Sequence, residues 1–158
     1  MLTSQNFGSI VTGVAFHPTK NLVASCSSDA RVKLWNADTG AELWTVSGHS
    51  QLVKAVSWSP DGTKLASGSL DNTVRIWDSA SGEQLCSLNV GGSVSSIDFA
   101  PCGNKLAAAF NIHQGISFKE GGVKIFSNQG SAGFVCQSTL RGHRYAPSLS
   151  KECFLSFG

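Results

Sequence analysis

GVAFHPTKNLVASCSSDARVKLWNADTG (13–40) and AVSWSPDGTKLASGSLDNTVRIWDSASG (55–82) align without a gap, and a repeat of this kind decides the fold. Pro18 matches Pro60, Asp29 matches Asp71, Trp35 matches Trp77 and Gly40 matches Gly82, each pair 42 residues apart. A third copy, SIDFAPCGNKLAAAF (96–110), stands 41 residues after the second, measured from Pro60 to Pro101. It resumes at GGVKIF (121–126) after NIHQGISFKE (111–120). Trp77 to Phe126 is 49 residues against 42 from Trp35 to Trp77, an excess of seven.

Inside each copy the pattern is that of strands. Val14 and Phe16, Val56 and Trp58, and Ile97 and Phe99 each flank a smaller or polar residue, which is the period of two of a strand. The turns HPTKN, SPDGTK and APCGNK follow, where Pro sets φ and Gly or Asn accepts a positive φ. Then come LVASCS, LASGSL and LAAAF, and after them RVKLW, TVRIW and GVKIF. A weaker fourth strand reads ELWTVS, QLCSLN and FVCQSTL. No stretch has a helical period. Four short strands per unit of about 40–45 residues predict an all-β chain of propeller blades.

Composition agrees with a folded domain. Of the 158 residues 41% are hydrophobic and 14% charged, which excludes a disordered tail or a coiled coil. A net charge of +2 points to neither nucleic acid nor an anionic membrane. The apolar runs are too short to span a bilayer, and MLTSQNFGSI lacks the pattern of a secretory signal. Five cysteines spread singly, without a CxxC pair, predict reduced thiols in the cytoplasm or nucleus and no metal site. The glycine-rich stretches lack phosphate-loop spacing, so no cofactor is expected. His17 and His113 stand alone and read as solvated or capping groups. Trp44 and Trp58 read as core.

Gly48-His49, Asp71 in a tight turn and Trp77-Asp78 closing a strand resemble the WD-repeat β-propeller family. The first copy has Asp29 and Trp35-Asn36, with Phe7 where the histidine falls. The third has Gly91-Gly92 for Gly-His, the insertion where Asp belongs, and Phe126-Ser127. The resemblance covers about 7–143. It implies an incomplete propeller over 1–143, with blades near 10–48, 52–91 and 93–141, and a divergent tail at 144–158. It also implies that His49, Asp71, Trp77 and either Ser67 or Ser69, with Asp29 and Trp35 in the first copy, form a structural hydrogen-bond network. A catalytic triad of the same residues is the rejected reading, and no enzyme is expected. The third copy, with Gly92, Ala108 and Phe126 in place of polar partners, is expected to be held by packing and to be the most mobile blade.

Closed propellers typically have 4–8 blades, so three do not close a ring. The chain is therefore expected to be a fragment or truncated product whose ring is completed by further blades, or to self-associate. The resemblance implies a non-enzymatic scaffold whose loops meet other proteins or peptides. By repeat phase, Thr12, Lys54 and Ser95, which precede Val14, Val56 and Ile97 by two, face the partner, as do Ser28 and Leu70. The insertion, with Ile112, Ile116 and Phe118, is either a private binding element or cover for an exposed edge. The rival reading is a truncated regulatory propeller segment of a longer, enzyme-containing protein.

Overall fold

The computed structural model describes residues 9–114, 117–130 and 133–143. Among them, twelve strands form three four-stranded antiparallel sheets, each a meander in chain order. The first holds β1 (Val11–Phe16), β2 (Leu22–Ser27), β3 (Arg31–Asn36) and β4 (Glu42–Ser47). The second holds β5 (Val53–Trp58), β6 (Lys64–Ser69), β7 (Thr73–Asp78) and β8 (Gln84–Asn89). The third holds β9 (Ser93–Phe99), β10 (Lys105–Gln114), β11 (Ser117–Asn128) and β12 (Phe134–His143). The first strands of the sheets lie side by side, β1 against β5 and β5 against β9. This is the incomplete propeller that the repeat predicts.

Short polar residues set the turns. Asn36 and Asp78 each accept two amide hydrogens of the turn that follows, from Asp38 and Thr39 and from Ala80 and Ser81. The residue after each tryptophan therefore launches the fourth strand. Between the second and third strands, Asp29 and Asp71 accept the amides of Arg31 and Thr73. The insertion is built differently. It lengthens β10 and β11 into one ribbon paired as far as Gln114 with Ser117, and the register shifts between Ile112 and His113. The tail at 144–158 lies outside the described residues.

A bulge recurs in the first strand of every sheet. The register shifts between Val11 and Gly13, between Val53 and Ala55, and between Val94 and Ser96. Thr12, Lys54 and Ser95 are thus the extra residues. Such a bulge re-aims the side chain and lets the strand bend.

Alternate residues of the second sheet serve different seams. Ala24, Cys26, Val32 and Leu34 pack with Val53, Trp58, Leu65 and Trp77 between the first and second sheets. Ala66, Val74 and Ile76 pack with Val94, Ile97, Phe99, Leu106 and Phe126 between the second and third. Polar bonds pin the first seam. The Thr12 hydroxyl donates to Val53 O, and Trp58 Nε1 donates to Ala15 O at 3.1 Å. Of the two readings of His17, solvated or capping, the structure has the second, with the residue buried. Its Nδ1 accepts the Thr19 and Lys20 amides at 3.1 and 3.0 Å, so Nε2 carries the proton and donates to Gly62 O of the second sheet at 3.1 Å. The ring also lies 4.7 Å from that of Trp58. Gly62 is required there twice over, because its φ is +68° and a Cβ would come within 2.3 Å of the imidazole.

Gly68 marks the second seam, where an added Cβ would meet Val94 Cγ1 at 2.5 Å. Gly68→Ala is expected to overpack the seam and cost about 1–3 kcal/mol, read as a lowered denaturant midpoint with an unchanged slope.

Candidate functional site

β6 and β7, the turn between them and the connection from β4 to β5 bring the histidine, serine, aspartate and tryptophan of the second copy together. Trp77 Nε1 donates to Ser67 Oγ at 2.8 Å, and the Ser67 hydroxyl donates to His49 Nε2 at 2.8 Å. His49 Nδ1–H donates to Asp71 Oδ2 at 2.9 Å. Asp71 also accepts the Ser50 amide and the Thr73 amide and hydroxyl. Each donor named in this network has an acceptor. Ser67 and the His49 side chain are fully buried, so no substrate reaches the hydroxyl that a triad would use. Ser69 takes no part with Trp77: its hydroxyl reaches Gln51 O and Leu52 O.

Burial pushes the His49 pKa below the ordinary histidine value, outweighing the pull of Asp71. Burial alone would raise Asp71, but hydrogen bonds from Thr73, His49 and Ser50 hold its carboxyl below the usual carboxylate range. The stable state is neutral imidazole beside carboxylate. In the first sheet Trp35 Nε1 donates to Ser25 Oγ at 2.8 Å, while Asp29 accepts the Ser9 hydroxyl at 2.9 Å. Phe7 lies outside the described residues.

The third sheet replaces the histidine, serine, threonine and tryptophan of the network. Val94 and Ser95 stand 41 residues after Val53 and Lys54, which bear the matching bulge, so the position of His49 falls on buried Val90. The expected substitution at Gly92 is thereby corrected. Ala108 takes the place of Ser67, Phe126 that of Trp77 and Gly122 that of Thr73. Phe110 stands at the position of Ser69, and its ring lies so close to Gly92 and Gly122 that an added Cβ would meet it at 2.9 and 3.1 Å. An aromatic ring fills the space of a hydrogen-bond network.

The residues expected to face a partner divide. Thr12, Ser28 and Ser95 are half-buried, with hydroxyls bonded to Val53 O, the Ile10 amide and Ala109 O. Lys54 is exposed, and Leu70 is 37% exposed. Leu70 lines a depression between the loops of the second and third sheets, together with Gln51, Asn72, Gly91, Gly92, Ser93, Asn111 and Ile112. Of the predicted residues the structure therefore brings Leu70 and Ile112 together and leaves Thr12, Ser28, Lys54 and Ser95 outside the lining. Ile116 and the side chain of Phe118 lie outside the described residues. Sequence reasoning missed Gln51, Asn72 and Asn111. Their repeat phase, at the loop ends beside Leu70 and the insertion, was the available signal.

Comparisons with known proteins place these residues in context. The family model described as "WD domain, G-beta repeat" matches 2–36 and 40–78. A Lissencephaly-1 homolog of Caenorhabditis briggsae is 46% identical over 43 residues, 27% of this chain and 11% of the relative. Nuclear distribution protein PAC1-2 of Uncinocarpus reesii is 40% identical over 43 residues, 27% of this chain and 9% of that protein. A chain of the structure described as "Crystal Structure of Mitotic Checkpoint Complex" superposes with TM-score 0.72 at 25% identity, covering 84% of this chain and 40% of that one. The structure of U3-55K superposes with TM-score 0.74 at 23% identity, covering 88% and 41%, a likeness of fold. This chain spans less than half the length of each.

Two outcomes follow from the network. Ser67→Ala strands the Trp77 and His49 ring nitrogens and is expected to cost about 1–3 kcal/mol of unfolding free energy, whereas Ala108→Ser buries a hydroxyl without those partners and is expected to destabilise as well. Both are read by chemical denaturation. For pH, burial pushes His17 and His49 below the ordinary value of 6.5. The unfolded chain therefore takes up protons first. Stability is full above 6.5 and declines as pH falls below it toward the folded-state values, and His17→Gln with His49→Asn should flatten that decline in the denaturation midpoint.

Proposed function

We propose that this chain, which belongs to the WD-repeat β-propeller family, works as a non-catalytic interaction platform that holds a segment of a partner protein across the depression beside Leu70. The observation that carries the reading is the pairing of exposed Leu70 with half-buried Ile112 among the side-chain amides of Gln51 and Asn72. An apolar side chain of the partner seats between the two aliphatic residues. Gln51 and Asn72 bond its backbone, each amide offering donors and an acceptor. The Lys124 ammonium is within 3.8 Å of where a Gly91 Cβ would stand, at the same depression, and suits an acidic group on the partner. Exposed Lys54 serves the same end on a neighbouring bulge.

The buried network around Ser67 supports a structural role for the residues that could pass for a triad, and so favours the scaffold over an enzyme. One structural neighbour belongs to an assembly described as a complex, which supports a scaffold role within a multi-protein complex. Free thiols at Cys26, Cys86, Cys102 and Cys136 fit a reducing compartment, and we place the chain in the cytoplasm or nucleus.

A photo-crosslinking side chain at position 70 is expected to capture a partner in cells, and the same group at Leu43 in β4 is not. Leu70→Asp or Ile112→Asp should abolish co-purification of that partner. Equal capture at 43 and 70, or recovery unaffected by both substitutions, overturns the reading.

A further inference from the structure

The outer strands of the first two sheets carry a base, a hydroxyl and a third polar side chain at matching positions, with one difference. In the first sheet Lys33 of β3 stands directly opposite Thr45 of β4, and Glu42 lies two pairs along, opposite Trp35. In the second sheet Arg75 of β7 stands opposite Ser87 of β8, with Gln84 opposite Trp77. Each residue follows its counterpart by 42. A carboxylate completes the first group: Glu42 accepts the Lys33 ammonium at 2.6 Å through one oxygen and the Thr45 hydroxyl at 2.6 Å through the other. Gln84 brings no charge to the second group, and its side-chain oxygen accepts Arg75 Nη1. Arg75 forms no ion pair among the described residues, and its Nε is buried without a hydrogen-bond partner. Ser87 is exposed on the edge strand of its sheet, and its hydroxyl has no partner among the described residues.

We propose that Ser87 is a phosphorylation site and that its phosphate supplies the negative charge that Arg75 lacks. Directly opposed residues of an antiparallel pair share a face, with Cβ atoms about 5 Å apart, so a group on Ser87 Oγ reaches the guanidinium. The first sheet shows where the anion belongs. There an anionic oxygen stands 2.6 Å from the hydroxyl of Thr45, and its twin stands 2.6 Å from the cation. The free oxygens of a phosphate monoester lie at a similar distance from the ester oxygen, so a phosphate on Ser87 puts its charge where the first sheet holds its carboxylate. A guanidinium also offers a planar fork that pairs with phosphate through two bonds, where Lys33 offers a point charge. Because Arg75 Nε is closed to solvent, its acceptor has to come from a neighbouring side chain.

The modification takes a protein kinase and a nucleoside triphosphate. The Ser87 hydroxyl oxygen bonds to the terminal phosphorus, the bond from that phosphorus to its bridging oxygen breaks, and the nucleoside diphosphate leaves. The hydroxyl proton passes to the kinase's base. The consequence falls on the first seam. A Cβ added to Gly48, in the connection from β4 to β5, would meet Arg75 Nη1 and Trp77 Cη2 at 3.1 Å and Gln84 Oε1 at 3.4 Å. The guanidinium thus lies against the connection that joins the two sheets, and a phosphate that fixes it ties β7 and β8 to that connection.

The test has two arms. In the first, the protein is isolated under phosphatase inhibition from the cells that produce it, and its phosphate is mapped by mass spectrometry. Phosphate is expected on Ser87 and not on Thr45, whose hydroxyl Glu42 holds. Its absence from Ser87, or equal phosphate on both, overturns the site. In the second arm, phosphoserine is installed at position 87 during translation. It should raise the denaturant midpoint, and the second ionisation of the phosphate, followed by phosphorus NMR, should fall below its ordinary value of about 6. Arg75→Gln should remove both effects. Gln84→Glu restores the carboxylate of the first sheet, so it should raise the midpoint of the unmodified chain and shrink the gain from the phosphate. That variant keeps the arginine and decides the matter if Arg75→Gln does not fold. A midpoint that phosphoserine leaves unchanged or lowers overturns reception by Arg75, as does a gain that persists in Arg75→Gln or stays full in Gln84→Glu.

Discussion

A four-stranded sheet has two faces and covers neither by itself. That constraint governs this chain, because each repeat can bury its apolar residues only against its neighbours. The second sheet meets it on both sides, with Leu65 and Trp77 toward the first sheet and Ala66, Val74 and Ile76 toward the third. Successive residues of one strand therefore belong to different cores. The period of two in the sequence is the record of two seams rather than of a core and a solvent face.

The two seams solve the same geometric problem with different chemistry. Between the first and second sheets, a one-way chain of hydrogen bonds runs from Trp77 through Ser67 and His49 to Asp71. Between the second and third, Val90, Ala108, Gly122 and Phe126 replace the histidine, serine, threonine and tryptophan, and Phe110 packs against Gly92 and Gly122. A partial replacement would leave a buried donor or acceptor unpaired and would be worse than either complete solution. His17 adds a pin found in the first seam. The matching residue of the second copy, Ser59, instead bonds within its own turn to Asp61 and Lys64.

Bulges separate scaffold from surface. One extra residue in the first strand of each sheet lets Val11, Val53 and Val94 keep their register while Thr12, Lys54 and Ser95 are turned out of the ladder. What those side chains then do depends on what they meet. The Thr12 hydroxyl finds a carbonyl of the next sheet, whereas Lys54 finds solvent. The polar surface left for a partner consequently shifts toward the loops around Leu70 and Ile112.

The all-β class and four strands per repeat were legible in the linear order of residues, because alternation and turn chemistry are local and recur at 41–42 residue spacing, whereas a structural role for His49, Asp71 and Trp77 was implied only by the family resemblance. Ser67 and Ser69 share a face by alternation, so pattern could not choose between them. Fold-level contacts chose, since Ser69 lies opposite Val53 and within reach of the Gln51 and Leu52 carbonyls, while Ser67 lies between His49 and Trp77. The fate of Thr12, the burial of His17 and the meeting of Leu70 with Ile112 were likewise invisible along the chain. Each depends on atoms roughly one repeat away in sequence, and such neighbours exist only once the sheets have stacked.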